Sequence, residues 1–553
     1  MVLHACPELN GDGKLILRNE PIRFSKSPVA FRRAPGKVRA LMIEKSPPRI
    51  EILESRIAPA FAAVFELSSL DGGNGFRISG EAAGDDSGRA LSDAGDVNGD
   101  GFGDLIIGAR YADPNGDRSG ASYVVFGGAS GFAANLNLSA LDGGNGFKLS
   151  GVTASDFAGS SVSAAGDVNG DGFGDLIIGA PYADPNGDRS GASYVVFGRA
   201  SGFAANLTLS ALDGGNGFKL SGVTAFDYAG SFVSAAGDVN GDGFGDLIIG
   251  ARGAPYGTDS GASYVVFGRA SGFPANLNLS SLDGSNGFTL SGVAPDDRSG
   301  RSVGAAGDVN GDGFGDLIIG ADGADPNGTD SGESYVVFGK ASGFAANLNL
   351  STLDGSNGFK LSGVAAYDRA GRSVSAAGDV NGDGFDDVVI GADQADANGS
   401  FSGASYVVFG KASGFAANLN LSALDGSNGF KISGVAPYDS AGESVSAAGD
   451  VNGDGFGDVI IGAAEADSNG RVSGAGYVVF GKASGFTANL NLSSLDGRNG
   501  FKLSGVAADD FAGDSVSAAG DVNGDGFADL LISERRSFRS ELRGLRPVLG
   551  DRL

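Results

Sequence analysis

The sequence predicts an all-β fold, a seven-bladed β-propeller of four-stranded antiparallel blades closed by an N-terminal strand. Three observations lead there. The hexapeptide Asp-Val-Asn-Gly-Asp-Gly occurs seven times, beginning at Asp96, Asp167, Asp238, Asp308, Asp379, Asp450 and Asp521, at intervals of 71, 71, 70, 71, 71 and 71 residues. A fixed period of this kind marks a repeated supersecondary unit. Each unit holds four short apolar or alternating runs between Gly, Asn and Asp clusters, with no helical periodicity. A solenoid coil takes roughly 20–29 residues and a four-stranded blade takes more, while seven units fall inside the roughly four-to-eight range of propellers.

The second unit shows each element in order. Ser161-Val-Ser-Ala-Ala165 is small and alternating, as an innermost strand beside a narrow channel requires; it is strand one. Asp167 to Asp175 is an acidic, Gly-rich loop. Leu176-Ile-Ile178, stopped by Gly179, is a short apolar run that reads as a buried strand two. Tyr182 to Gly191 is a turn-rich connection containing Asp-Pro-Asn-Gly. Tyr194-Val-Val-Phe197 is strand three, and after a long connection ending in Asp213-Gly-Gly-Asn-Gly217, Phe218-Lys-Leu-Ser221 is strand four.

The ends of the array are complementary. Phe61 to Asp71 matches Phe132 to Asp142, so the repeats start near residue 61 with a strand four, Phe76-Arg-Ile-Ser79, that lacks its earlier strands. The last unit has strand one (Ser515 to Ala519) and strand two (Leu530-Leu-Ile532), which the N-terminal strand can complete, removing exposed edges. Tyr-Val-Val-Phe-Gly occurs six times, not seven. Residues 534–553 turn Arg-rich and are either a divergent tail or a degenerate outer strand. The expected organisation is therefore a leader over 1–60, the propeller over 61–533 and this tail.

Composition narrows the partners. Acidic residues outnumber basic ones 66 to 39, a formal charge of −27, which repels a phosphate backbone and argues against nucleic acid. His4 and Cys6 are the only residues of their types, so the repeats can assemble neither a Cys/His zinc site nor a Ser-His-Asp or Cys-His apparatus. No transmembrane segment is expected, because no apolar run reaches about 18 residues. The chain is not expected to be an enzyme.

The acidic loop carries the chemistry. Asp-Val-Asn-Gly-Asp-Gly-Phe-Gly-Asp sets oxygen side chains at positions 1, 3, 5 and 9 with Gly at 6, like the first nine positions of an EF-hand loop, in which position 7 lends a carbonyl. Position 12 is Ile178, in a strand, so this is not an EF-hand. Hard oxygens in a flexible loop suit Ca²⁺ better than the tight octahedron of Mg²⁺. Three carboxylates within nine residues repel each other until a cation neutralises them. A polar turn explains Asp, Asn and Gly individually, but not Asp at positions 1, 5 and 9 in all seven copies.

These loops, together with Gly179-Ala180 after strand two and Phe197-Gly198 after strand three, resemble FG-GAP repeats, the blades of integrin α-chain propellers, over about residues 61–533. The resemblance implies up to seven Ca²⁺ ions, each held by loop side chains and the position-7 carbonyl. In the first two units these are Asp96, Asn98, Asp100, Phe102 and Asp104, then Asp167, Asn169, Asp171, Phe173 and Asp175. The next two supply Asp238, Asn240, Asp242, Phe244 and Asp246, then Asp308, Asn310, Asp312, Phe314 and Asp316. Asp379, Asn381, Asp383, Phe385 and Asp387 follow, then Asp450, Asn452, Asp454, Phe456 and Asp458. The last unit offers Asp521, Asn523, Asp525, Phe527 and Asp529. The family implies adhesion or binding of an extracellular protein or glycan, with calcium mainly structural. The alternatives are a structural surface or matrix protein and the propeller region of a secreted hydrolase. The loop in every blade departs from integrins, so heterodimerisation of that type is not implied.

Antiparallel strands place the acidic loops and the three-to-four connections at one end of the blades. The other end carries the loops that vary between units, among them Phe157, Tyr228, Arg298 and Arg369 in one set and Tyr182, Gln394 and Glu465 in another. Loops on a rigid scaffold are where recognition resides, so the ligand is expected there. Asn137-Leu-Ser139 and its later counterparts are glycosylation sequons if the host glycosylates them. An extracellular or cell-surface location is expected because millimolar Ca²⁺ is available there.

Overall fold

Strand two of each unit is an unbroken run of Leu, Ile and Val after its Asp, followed by Gly-Ala in the first six units, so both of its faces must be covered. The structure, a computed structural model, describes residues 61–535 except Ser342, together with the pair Val2–Leu3. The rest of the leader and the tail beyond residue 535 lie outside the described residues. In the second unit Asp175–Ala180 is buried throughout. It pairs antiparallel with Ser161–Gly166 on one side and Ala192–Val196 on the other. Ala192–Val196 in turn pairs antiparallel with Gly217–Ser221. A register shift where Asp175 meets strand one lets the acidic loop leave the sheet at a bend.

The blades have a fifth strand that the sequence did not announce. In the three-to-four connection, Asn276–Asn278 pairs parallel with Gly217–Ser221 of the preceding unit. Each connection therefore leaves its own blade, runs along the outer edge of its neighbour and returns. Its Phe stacks on the strand-four Phe it reaches: Phe273 on Phe218 at 4.5 Å, Phe344 on Phe288 at 4.7 Å, and across the chain ends Phe61 on Phe501 at 4.7 Å. The core lies between neighbouring sheets, with Ile177 and Val195 of one packed against Leu247, Ile249 and Tyr264 of the next.

The expectation of seven four-stranded blades is corrected on both counts. Among the described residues the structure has six complete blades, not seven, with inner strands Ser87–Gly95, Ser161–Gly166, Phe232–Gly237, Ser302–Gly307, Ser373–Gly378 and Val445–Gly449. Each holds four antiparallel strands and a parallel fifth. The remaining sheet is a composite of both chain ends: Val516–Gly520 and Asp529–Ile532, then Val2–Leu3, then Gly75–Ser79 and Asn135–Asn137. The last unit has no Tyr-Val-Val-Phe-Gly segment, so its strand-three place is taken by the two-residue pair, which bonds Leu531 and Leu530 on one side and Phe76 and Gly75 on the other. This sheet closes the ring, with Val516–Gly520 packed beside Ser87–Gly95.

Candidate metal loops and the opposite face

Seven acidic loops lie at one end of the sheets, each entered from strand one and left into strand two. In the second unit Asp167 Oδ1 accepts the N–H groups of Gly170 (2.7 Å) and Asp171 (3.0 Å), and Oδ2 accepts that of Gly172 (2.9 Å). Asn169 Oδ1 accepts from Asp171 N at 2.8 Å, and its amide donates to Asp171 Oδ2 at 3.0 Å. Asp171 Oδ1 accepts from Phe173 N at 3.1 Å. Positions 1, 3 and 5 thus wrap one loop, with Gly170 and Gly172 at φ 73° and 89°, a backbone that glycine adopts without steric cost.

Position 9 behaves differently. Asp175 is fully buried; its Oδ2 accepts the Val168 N–H and its Oδ1 the Gly198 N–H, each at 2.9 Å. That carboxylate ties the start of the loop to the end of strand three, which explains the Phe-Gly after that strand: a Cβ at Gly198 would meet the Gly174 carbonyl. Burial pushes the Asp175 carboxyl up to about 7, and Asp171 and Asp167 push in the same direction. The equivalents Asp104, Asp246 and Asp316 rise to about 7, and Asp387 and Asp458 to about 8, for the same reasons.

The donor set is chemically suited to a hard dication, being all oxygen, with three carboxylates that repel one another. Among the described residues, no group of three or more His, Cys, Asp or Glu side chains converges as a ready-made metal cluster.

The loops are also joined to each other, which spacing alone did not reveal. The Phe173 ring of one loop sits where a Cβ on Gly99 of the preceding loop would be, and the contact recurs from Gly170 to Phe244 and around to Gly524 against Phe102. Gly174 N donates to the Asp96 carbonyl at 2.9 Å, and Gly103 N to the Asp521 carbonyl at 3.0 Å. Position-7 Phe and position-4 Gly are thus partners in a closed ring of loops.

At the opposite end the two-to-three and four-to-one loops pack together across units, with Phe157 N donating to the Arg118 carbonyl at 3.1 Å. One part of this face is aromatic. Tyr111, Phe157, Tyr182 and Tyr228 form a row with ring centroids 5.7, 4.8 and 5.6 Å apart. Arg110 lies over Tyr111 at 4.5 Å and Arg189 over Tyr182 at 5.4 Å. Further round, this face is ionic: Arg372 meets Asp393 at 3.2 Å and Glu443 at 3.4 Å, and Asp322 faces Arg298 and Arg301 at 3.8 and 3.9 Å.

These features define a class, a propeller of repeated blades whose inner hairpins carry Asp/Asn/Gly loops. The FG-GAP repeat model matches residues 91–125, 158–196, 229–266, 299–337, 370–408, 441–479 and 512–537. The chain belongs to the FG-GAP repeat family. It is similar to the phosphatidylinositol-glycan-specific phospholipase D of Dictyostelium discoideum, 30% identical over 308 residues, which are 52% of this chain and 30% of that protein. It is 32% identical to integrin alpha-V of Gallus gallus over 255 residues, 44% of this chain and 21% of that one, and 33% identical to integrin alpha-IIb of Mus musculus over 186 residues, 32% and 16%. The matched stretches span less than a third of these relatives' own lengths. Among the described residues no helix is long and apolar enough to cross a membrane.

Proposed function

We propose that this chain is an extracellular or cell-surface calcium-binding propeller that acts by binding a protein or glycan in adhesion, not by catalysis. The observation that carries the reading is the sevenfold oxygen-rich loop joined into a ring. Position 1, 3, 5 and 9 side chains and the position-7 carbonyl, in the second unit Asp167, Asn169, Asp171, Asp175 and Phe173, would hold the ion. A bound dication supplies charge neutralisation among carboxylates that otherwise repel. The chain's own part is to fix those carboxylates with loop amides and to link each loop to the next. A calcium demand of this size fits millimolar external calcium. Likeness to proteins named integrin alpha supports the adhesion reading.

Calorimetric titration of chelated protein tests it: cooperative uptake of several Ca²⁺ ions per chain is expected, and no uptake refutes it. Arrays of glycans and matrix proteins, with and without chelator, separate a binding protein from a purely structural one. A second reading, the propeller region of a hydrolase, is favoured by the phospholipase D relative. Turnover of phosphodiesters, other esters or glycosides by the purified chain would support that reading over the first.

A further inference from the structure

This inference rests on the reading of the variable face as the ligand face and names what it takes. The central channel opens on that face into a cavity of about 240 Å³, whose rim carries residues at or just before the start of strand one, among them Arg89, Arg301, Arg372, Glu443 and Asp514. Both acids are already committed, Asp514 to Arg89 at 3.3 Å and Glu443 to Arg372 at 3.4 Å. Arg301 is paired more loosely: it lies over the Phe232 ring at 4.8 Å and makes a longer ion pair with Asp322, 3.9 Å from its Nε. Burial lowers its guanidinium to about 10; Asp322 opposes this, while Arg372 and Arg252 add to it. It therefore stays charged at neutral pH, with Asp322 a counterion beyond hydrogen-bond distance.

The wall below adds donors. Ser161, Ser302, Ser373 and Ser444 line the same cavity. Their hydroxyl oxygens accept the N–H groups of Val233, Val374, Val445 and Val516 on the next inner strand, each at 3.1 Å. A hydroxyl whose oxygen is accepting keeps its proton to donate. A guanidinium beside several O–H donors in a partly desolvated mouth is an anion site, and a carboxylate matches it best.

Ser160 lines both this cavity and a second one of about 640 Å³ that holds Tyr111, Phe157 and Tyr182, with exposed Arg118 and Arg189 at its edge. Asp184 and Asp188 also line it; Asp184 Oδ1 is held by the Arg189 N–H at 2.6 Å. Phe157 and Tyr228 have φ of 57° and 56°, where glycine is the low-cost residue. Large rings kept on such a backbone point to a use for the rings themselves. An open row of half-buried rings with a polar rim is a platform for the C–H faces of sugars, whereas an apolar peptide side chain would want an enclosed pocket.

We propose that the groove and the channel mouth together bind an acidic glycan, with sugar rings on Phe157 and Tyr182 and a uronate carboxylate at Arg301 and the serine hydroxyls. The test is calorimetric titration of the calcium-loaded chain with a tetrauronate, the neutral tetrasaccharide of the same linkage, and a tetraglutamate peptide. The tetrauronate is expected to bind at least about tenfold more tightly than the neutral sugar. Arg301→Gln, and Ser302→Ala as a milder second variant, should remove that preference, and Phe157→Gly should weaken both sugars, with each variant keeping a cooperative melting transition. Equal affinity for neutral and acidic sugars, an unaltered preference in both channel-mouth variants, or no sugar binding overturns the proposal. Preference for tetraglutamate makes the site one for acidic peptides and overturns the glycan assignment. A protein ligand lost on Phe157→Gly would then keep the ligand-face reading alive, and a ligand indifferent to every substitution on this face would end that reading too.

Discussion

On the loop face, Gly170 and Phe244 make the same contact that Gly524 and Phe102 make where the chain ends meet. On the opposite face, Phe157, Tyr228, Arg298 and Arg369 share one backbone conformation, φ 56–57°, and present rings in two units and guanidiniums in two others. The two ends of the blades are built from the same strands, yet one repeats its side chains and the other spends that freedom. Where each unit must touch the next through a loop, any change propagates round a closed ring. Where a side chain projects from a strained but uniform turn, the scaffold does not constrain what it is.

This comparison can be broken at several points. The largest effect from one residue is expected at the loop interlock. Gly241→Ala forces a left-handed alanine at φ 73° and drives its Cβ into the Phe314 ring. A loss of about 3 kcal/mol in denaturant unfolding is expected, combining backbone strain with overpacking; a loss below about 1 kcal/mol would show that the loops are not interlocked.

The inner strands sharpen the comparison through one exception. Asp93 stands where the other units have Ala164, Ala235, Ala305, Ala376, Ala447 and Ala518. Burial pushes its carboxyl up to about 6, while the N–H groups of Gly95 and Ala94 oppose the rise. A native value above the unfolded one means that stability is fully present below about pH 4 and is lost as pH rises through 6. Asp93→Ala is therefore expected to be more stable than the parent at pH 8 by up to about 2 kcal/mol, allowing for partial exposure, with the gap closing toward pH 4. Melting curves across that range check it, and a gap that widens toward acid would contradict the assignment.

The smallest stability effect belongs to the variable face. Phe157→Gly removes a half-buried ring but relieves the left-handed backbone, so unfolding free energy should change by less than about 1 kcal/mol. A large loss would make the aromatic row a structural feature and remove the contrast between the faces.

Much of this was legible in the sequence because the period is strict. Strand two and the acidic loop declare themselves through apolar runs and oxygen spacing, and the repeats' ends show that both termini share a sheet. The parallel strand Asn276–Asn278 was hidden inside a constant connection, since three alternating residues carry little signal and their partner lies in the preceding unit. The Val2–Leu3 pair has no pattern at all, so nothing in the sequence announced that it takes the strand-three place of the closing sheet. Within the loop, spacing gave the oxygens but not their division of labour: Asp175 is a buried tie to strand three, whereas Asp167, Asn169 and Asp171 shape the loop. The aromatic row joins residues 46, 25 and 46 positions apart, so sequence variation marked the positions without showing that they touch.

The central claim is that divalent cations in these loops hold the ring together. Thermal melts of the purified chain in about 1 mM Ca²⁺ and after exhaustive chelation test it most directly. With a Kd near 0.1 mM, each site contributes roughly 1.4 kcal/mol, and seven contribute on the order of 10 kcal/mol, so a large drop in Tm that calcium restores is predicted. An unchanged Tm, with no calcium taken up on re-addition, would contradict the account.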